Sequence, residues 1–449
     1  MTDHSPVHDG LNDAYPNPVY AWYVATVLMI ANIVSFIDRQ IISLLIEPIK
    51  ADLGLTDTQI SVLHGFAFAI FYALVGILIG RLADYKNRRT IIAIGITAWS
   101  IMTACCGLAK TFWVFFLARV GVGVGEATLS PCGYSMISDY FPRDKRSKPI
   151  SLLAMGPYVG GGMSFILGGL VVQMVANSAA LELPLVGVLQ PWQTTFIIVG
   201  LPGVLVGLLV LLTVREPVRH DKLLQPGNEQ ETLPLSETFR FIASHLRVYS
   251  TIILGYSTTA MLGYGLLAWT PTLFIRNFAW TPGEVGLIFG LLVLVCGGAG
   301  TFFGGVWADW LIGKKRADAY LRVSVYGTVG LLFFILAPLV QNAVLVLCLL
   351  APTLFFVGIH VGVGMACITQ VTPNEFRGQI LAIYLFVLIL VGAGIGPFMV
   401  AFFTDYVFKD PLLIRYSLSL FAGIFVPVAF IIFYSGLRPF AKMIEEIRY

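Results

Sequence analysis

Asp38, Arg39, Arg119 and Glu126 are ionisable residues in stretches otherwise apolar enough for hydrocarbon. A charge there is costly and persists only against a partner or a wet cavity. The chemistry open to such a group is proton binding and exchange of ion partners. Arg119 and Glu126 are seven residues apart, two helical turns, so they project from one helix face. Gly121, Gly123 and Gly125 lie between them and let another helix approach closely. At 1.5 Å per residue, Asp38 lies roughly 15 Å from the outer end of its helix, Arg119 roughly 12 Å, and Glu126 roughly 10 Å deeper. Equal depth and opposite sign predict that Asp38 pairs with Arg119. Glu126 is then the candidate carrier of a coupling proton, with Arg119 and Asp38 exchanging partners around it. The alternative is a static ion-pair cluster that sets helix packing. Arg39 points about 100° away from Asp38, toward substrate or, snorkelling, toward a cavity edge. His64 falls near the level of Asp38. His360 is the deep ionisable group of the later sequence, either a hydrogen-bonded core histidine or a cavity residue.

These residues need membrane-spanning helices to hold them. Hydrophobic types make up 57% of the 449 residues and charged types 12%, and the mean hydropathy is +0.84. Soluble domains carry about 25% charged residues, so the chain reads as a polytopic, all-α membrane protein. Twelve runs reach the length a bilayer requires: 19–48, 57–80, 90–109, 111–139, 149–175, 192–214, 248–275, 283–311, 319–339, 342–370, 377–404 and 411–436. They divide into a six-helix bundle at 19–214 and another at 248–436. Residues 1–18 read as a disordered lead-in, 215–247 as a linker and 437–449 as a tail. Placing both termini in the cytoplasm assigns 21 of the 28 Lys and Arg to that side. Within the linker, Leu235, Phe239, Ile242 and Leu246 predict one apolar face of an amphipathic helix. The six cysteines lack metal or paired spacing. His4 and His8 have no helix to present them. No metal and no cofactor is expected.

The halves repeat each other. GVGVGEATLSP…DYFPRDKRSK at 121–148 is answered by GVGMACITQVTPNEFRGQ at 362–379, with Pro142, Asp144 and Arg146 matching Pro373, Glu375 and Arg377. GRLADYKNRR at 80–89 is answered by GVWADWLIGKKR at 305–316. A parallel repeat of two six-span halves is a transporter architecture with its substrate site at the repeat interface. GRLADYKNRR also resembles the major facilitator signature G-x-L-A-D-R-x-G-R-R, with Tyr85 in place of Arg and Asn87 in place of Gly. The RVGVGVGEA stretch and AWTPTLFIR at 268–276 look most like the Spinster-like branch. That resemblance implies the pseudo-symmetric major facilitator fold, alternating access, embedded carboxylates that carry protons, a sphingolipid or lysophospholipid cargo, and a monomer.

Asp84, Arg88, Asp139, Arg143 and Arg146 fall at span ends and read as an inner gate, or as plain positive-inside anchoring. GPYVGG at 156–161 matches only the core of an antiporter signature and equally suits helix packing. The ionic residues of the first half face Tyr256, Tyr264, Trp269, Phe302, Phe355 and Phe356 of the second. An amphiphile suits that asymmetry, its head on Arg39, Arg119 and Glu126 and its tail against His360, Tyr264 and Trp269. The leading expectation is a proton-coupled secondary transporter of a lipid-like amphiphile. The alternatives are a carrier of small organic anions or drug-like molecules, and a non-transporting receptor. The expected partners are the cargo, protons and membrane lipids, with no nucleic acid. No enzyme motif or nucleotide loop is present. A bacterial inner membrane is the simplest location.

Overall fold

The computed structural model describes residues 15–142, 145–176, 181–183, 187–219 and 234–448. The expectation for residues 1–18 therefore falls almost entirely outside the described residues. Twelve helices in it are long and apolar enough to cross a membrane. In the first half these are Pro18–Leu44, Asp57–Tyr85, Arg88–Cys106, Phe112–Tyr140, Lys148–Ala176 and Pro191–Thr213. In the second half they are Leu246–Phe278, Pro282–Gly313, Ala319–Leu339, Ala343–Gln370, Glu375–Phe408 and Pro411–Glu446. Polar residues between the apolar runs start many of them. Asn17, Asn87, Thr111 and Asn342 each accept a bond from the first turn of the helix that follows. Thr56 with Gln59 and Thr281 with Glu284 form full capping boxes. Each such cap is worth about 1 kcal/mol. The twelfth helix runs without interruption from Ile414 to Arg448, so most of the expected tail at 437–449 is helix.

The two halves repeat one packing scheme. The third span packs on the fourth and sixth as the ninth does on the tenth and twelfth. The first lies on the fifth as the seventh does on the eleventh, and the second on the fourth as the eighth does on the tenth. Between halves, the fifth span lies against the eighth and the second against the eleventh. Glycine permits both contacts. A Cβ on Gly290 would lie 2.6 Å from the Gly162 carbonyl oxygen, and one on Gly65 only 2.3 Å from that of Ala393. The second, eighth and eleventh spans each widen into a π-helical turn here, at Val62–Phe66, Val293–Gly297 and Leu390–Ile395.

An even number of crossings puts both described chain ends on one face, the terminal face; the other is the far face. The linker begins on the terminal face. The Tyr140 hydroxyl donates to the carbonyl of Arg215, and Arg219 donates to the main-chain oxygens of Ala83, Asp84 and Lys86. Linker residues 220–233 are outside the described residues. Leu235–Ser244 is helical as expected, but its packed face is not the expected one. Thr238 is buried and donates to Gln379, and Phe241 stacks on Phe376 at 4.6 Å. Leu235 and Phe239 are exposed instead, because aromatic stacking and a buried hydroxyl bond fix this short helix on the eleventh span.

Candidate functional site

Glu126 ends the first helical stretch of the fourth span, just before the turn at Ala127 and Thr128. Its partner is Arg39. The guanidinium Nη2 pairs with Glu126 Oε2, and the Ser35 hydroxyl donates to the same oxygen at 2.7 Å. Ser35 and Arg39 are one turn apart on the first span, so a single helix face holds both donors. Phe36, Phe68 and Tyr72 surround the guanidinium, with ring centroids 4.8, 4.2 and 5.5 Å from its central carbon. Rings at that range attract a cation. Arg39 Nε and Glu126 Oε1 are buried with no hydrogen bond. The pair therefore keeps one donor and one acceptor in reserve.

Asp38 and Arg119 do not pair as expected. Arg119 donates to the main-chain oxygens of Leu63, at 3.3 Å, and Asp38, at 3.2 Å. Equal depth brought the residues together but not their charged ends. The Asp38 side chain projects toward the third span, where Trp99 and Thr103 face it. Both Asp38 carboxyl oxygens are buried, and neither of these contacts closes to full hydrogen-bond geometry. His64 lies 3.1 Å from the Gln40 side-chain oxygen.

Around Arg39 the halves meet through tyrosines. Tyr72 of the second span and Tyr264 of the seventh interact electrostatically with Arg39. Tyr158 of the fifth neighbours Tyr264, and Tyr134 of the fourth neighbours Tyr72. Tyr72, Tyr158 and Tyr264 are half-buried and Tyr134 is exposed. Four spans thus supply hydroxyls to one central region beside a guanidinium. Of these, sequence reasoning named only Tyr264. Ser35 carried a usable signal in its spacing from Arg39, whereas tyrosine is too common in membrane helices to mark a site.

The other second-half candidates lie elsewhere. His360 Nδ1 is 2.8 Å from the Phe356 carbonyl oxygen and Nε2 is 3.1 Å from the Thr328 hydroxyl, with the ring stacked on Phe433. Both nitrogens are occupied and the residue is buried, which makes it a core histidine. Trp269 is buried and donates to the Pro397 carbonyl. Tyr256 is bonded to Ser324. Phe302 is exposed. Of the aromatic residues expected on that wall, Tyr264 is the one seen beside Arg39.

The halves are tied together at the far face. Arg276 of the seventh span grips both Asp57 carboxylate oxygens, at 2.7 and 2.8 Å, and reaches Glu47 at 2.7 Å. Lys50 also pairs with Asp57. The Thr58 amide donates to Asp405, and the Ser61 hydroxyl donates to the Pro397 carbonyl. Arg276 closes the AWTPTLFIR run, whose sequence carried a resemblance but no sign of these partners.

At the terminal face the described ion sets stay within one half or its linker. Arg88 joins Asp139 at 2.5 Å and Glu216 at 2.7 Å. Glu216 was not foreseen; it also accepts from the Arg89 amide. Arg146 donates to the Phe141 carbonyl at 2.7 Å. Asp84 is exposed, and its main-chain oxygen accepts from Arg219. Arg143 lies outside the described residues.

Two six-helix halves around one central charged site define a membrane transporter, and comparisons with known proteins agree. The family model for the Major Facilitator Superfamily matches residues 28–397, and the chain belongs to that superfamily. Within it the chain is Spinster-like. The crystal structure of a bacterial homolog of the human lysosomal transporter Spinster, inward-facing and unoccupied, superposes with a TM-score of 0.82 at 26% identity, covering 95% of this chain and 99% of that one. Protein spinster of Drosophila melanogaster is 24% identical over 72% of this chain and 51% of its own length. An MFS-type efflux pump of Mycolicibacterium smegmatis is 29% identical over 91% of this chain and 88% of that protein. A probable L-galactonate transporter of Escherichia coli K12 is 26% identical over 64% of this chain and 61% of that protein. The superfamily consists of transporters, and the chain is a multi-pass membrane transporter and not an enzyme.

Proposed function

We propose that this chain is a proton-coupled carrier of organic anions, and that Arg39 receives the acidic group of the cargo. One observation carries the reading. Arg39 is paired with Glu126 in a half-open tyrosine-lined region, while the neighbouring Asp38 carboxyl is buried without a cation on its oxygens. An ionised carboxylate that deep and unpaired is very costly. Asp38 is therefore the group suited to bind the coupling proton. An anion arriving at Arg39 competes with Glu126 for the guanidinium. Glu126, once displaced, takes up a second proton; when the cargo leaves, Glu126 re-forms its pair and releases it. This reverses the roles expected from sequence, in which Glu126 worked with Arg119 and Asp38.

The basic bias of the sequence assigns the terminal face to the cytoplasm. On that assignment the tied far face is external, and the geometry corresponds to an inward-open carrier. Arg276, Asp57 and Glu47 are the external lock. Arg88, Asp139 and Arg146, with Asp84, belong to the cytoplasmic gate. A bacterial inner membrane and a monomeric working unit complete the reading.

Hydroxyls of Tyr72, Tyr134, Tyr158 and Tyr264 suit an anion that carries hydroxyl groups, and the likeness to the probable L-galactonate transporter supports that class. A second reading keeps the acidic headgroup and adds a tail. The Spinster likeness favours it, since a lysophospholipid presents its phosphate to the same guanidinium.

The test is flux in proteoliposomes under an imposed pH gradient, with labelled galactonate in one arm and a labelled lysophospholipid in the other. Parent protein should respond to the gradient in one arm. Arg39→Ala should lose flux at least 100-fold, on the order of the loss expected from removing a charged contact. Asp38→Asn should lose its gradient response. A gradient response that survives in Asp38→Asn would remove Asp38 as the proton site.

A further inference from the structure

Between the first and third spans, beside Arg39 in sequence, three buried polar groups share one place. They are the Asp38 carboxyl, the Trp99 indole N–H and the Thr103 hydroxyl. All three residues are fully buried, at 0% exposure. Trp99 Nε1 and Thr103 Oγ1 face the Asp38 carboxyl as its hydrogen-bonding neighbours, yet neither contact closes to full hydrogen-bond geometry and no other group serves these four atoms. Leaving buried polar groups unmatched is expensive. Four such atoms in one spot need a common explanation.

Trp99 and Thr103 are one turn apart on the third span, so they share a face. Their chemistry differs in a useful way. The indole N–H can only donate. A hydroxyl can donate to a carboxylate and accept from a carboxylic acid. Together they can serve Asp38 in both protonation states. Trp99 donates to one oxygen throughout, while Thr103 reverses its bond when the proton arrives.

Other charged and titratable groups face Asp38 as well. Arg119 and Glu126 act on it from the fourth span. Cys106 lies near it on the third span. Arg39, next to it on the first span, is held by Glu126, and His64 of the second span is held by Gln40. None of these donates to the Asp38 carboxyl oxygens.

We infer that Trp99 and Thr103 are positioning residues that set the proton affinity of Asp38, with Thr103 as the bond that reverses on protonation. The inference rests on Asp38 being the proton site. It adds residues from a span that carries no ionisable group of the exchange.

The test is an infrared difference titration of purified protein in lipid nanodiscs, which needs no cargo. The carboxylic acid C=O band of Asp38 is identified by its loss in Asp38→Asn. Its titration midpoint is then followed in Trp99→Phe, Thr103→Val and Thr103→Ser. Removing a donor weakens the ionised form, whose bonds are charge-assisted and stronger. Trp99→Phe and Thr103→Val should each raise the midpoint by about one pH unit, a tenfold gain in proton affinity. Thr103→Ser should restore the parent midpoint and C=O frequency. Thr103→Val preserves volume, so it decides the matter if Trp99→Phe prevents folding. If the band exists but both variants titrate like the parent, the positioning role is overturned and Asp38 stands. If Asp38→Asn removes no band, the proton assignment itself falls and the positioning role falls with it.

Discussion

The centres of the two halves treat buried ionisable groups in opposite ways. In the first half, Asp38 and Glu126 retain unmatched oxygens and Arg39 and Arg119 retain unmatched nitrogens. In the second half, His360 is held on both ring nitrogens and Tyr256 is bonded to Ser324. The folds correspond, span for span, yet the charged groups left available at the centre belong to the first half. A satisfied polar network fixes structure, whereas an incompletely satisfied one can exchange partners. The difference locates the chemistry in the first half and gives the second a mechanical part.

The strongest way to break this comparison is Glu126→Gln. It strands the Arg39 charge, and removing one partner of a buried pair costs about 3–5 kcal/mol. Thermal unfolding should show that loss, together with a weakened gradient response in the flux assay. An unchanged stability would mean that the pair is not a closed ionic contact in the membrane. Next comes Arg276→Ala. Truncating one member of a buried, hydrogen-bonded charge pair costs about 2–5 kcal/mol, and Lys50 still serves Asp57, so the lower part of that range applies. The variant should open the far face, seen as faster thiol labelling of Ser61→Cys, while the pH response keeps its midpoint. A moved midpoint would show that the second half takes part in the proton chemistry. His360→Phe should cost about 1–3 kcal/mol by leaving Thr328 and main-chain groups short of a partner. Its pH profile should match the parent, and a shifted profile would contradict the static reading of His360. The smallest effect belongs to Phe241→Ala. Loss of the stack on Phe376 is worth about 1 kcal/mol and should appear as faster proteolysis next to the linker helix, with flux retained.

Much of the architecture was legible because hydropathy and basic-residue bias act over tens of residues. Twelve runs gave twelve helices, and the helix at 235–244 was visible in its apolar spacing. The charged positions were also legible, since Asp38, Arg39, Arg119 and Glu126 stand out against hydrocarbon. Their partners were not. Axial depth follows from residue count, but rotation about the helix decides which guanidinium meets which carboxylate. Asp38 and Arg39 illustrate the limit: one residue of sequence turns the side chain by about 100°, which sends Asp38 to the third span and Arg39 to Glu126. The linker helix shows the same limit, because two aromatic rings at Phe241 and Phe376 outweighed the pattern of its leucines. The far-face lock draws Lys50, Asp57 and Arg276 from separate helices, a grouping that only the packed bundle reveals.

The seam between the fifth and eighth spans has a mechanical consequence. Gly162 and Gly290 lie with each one's missing Cβ aimed at the other's main chain, and Gly286 does the same to the Phe165 carbonyl. Along these glycines the two helices meet backbone to backbone, and the Phe165 and Phe289 rings, 5.1 Å apart, sit beside that smooth strip. A toothed contact would have to climb over each ridge as the halves rock, with a barrier at every notch. A smooth one behaves as a plain bearing: it can carry load across the membrane while leaving the angle of the joint free.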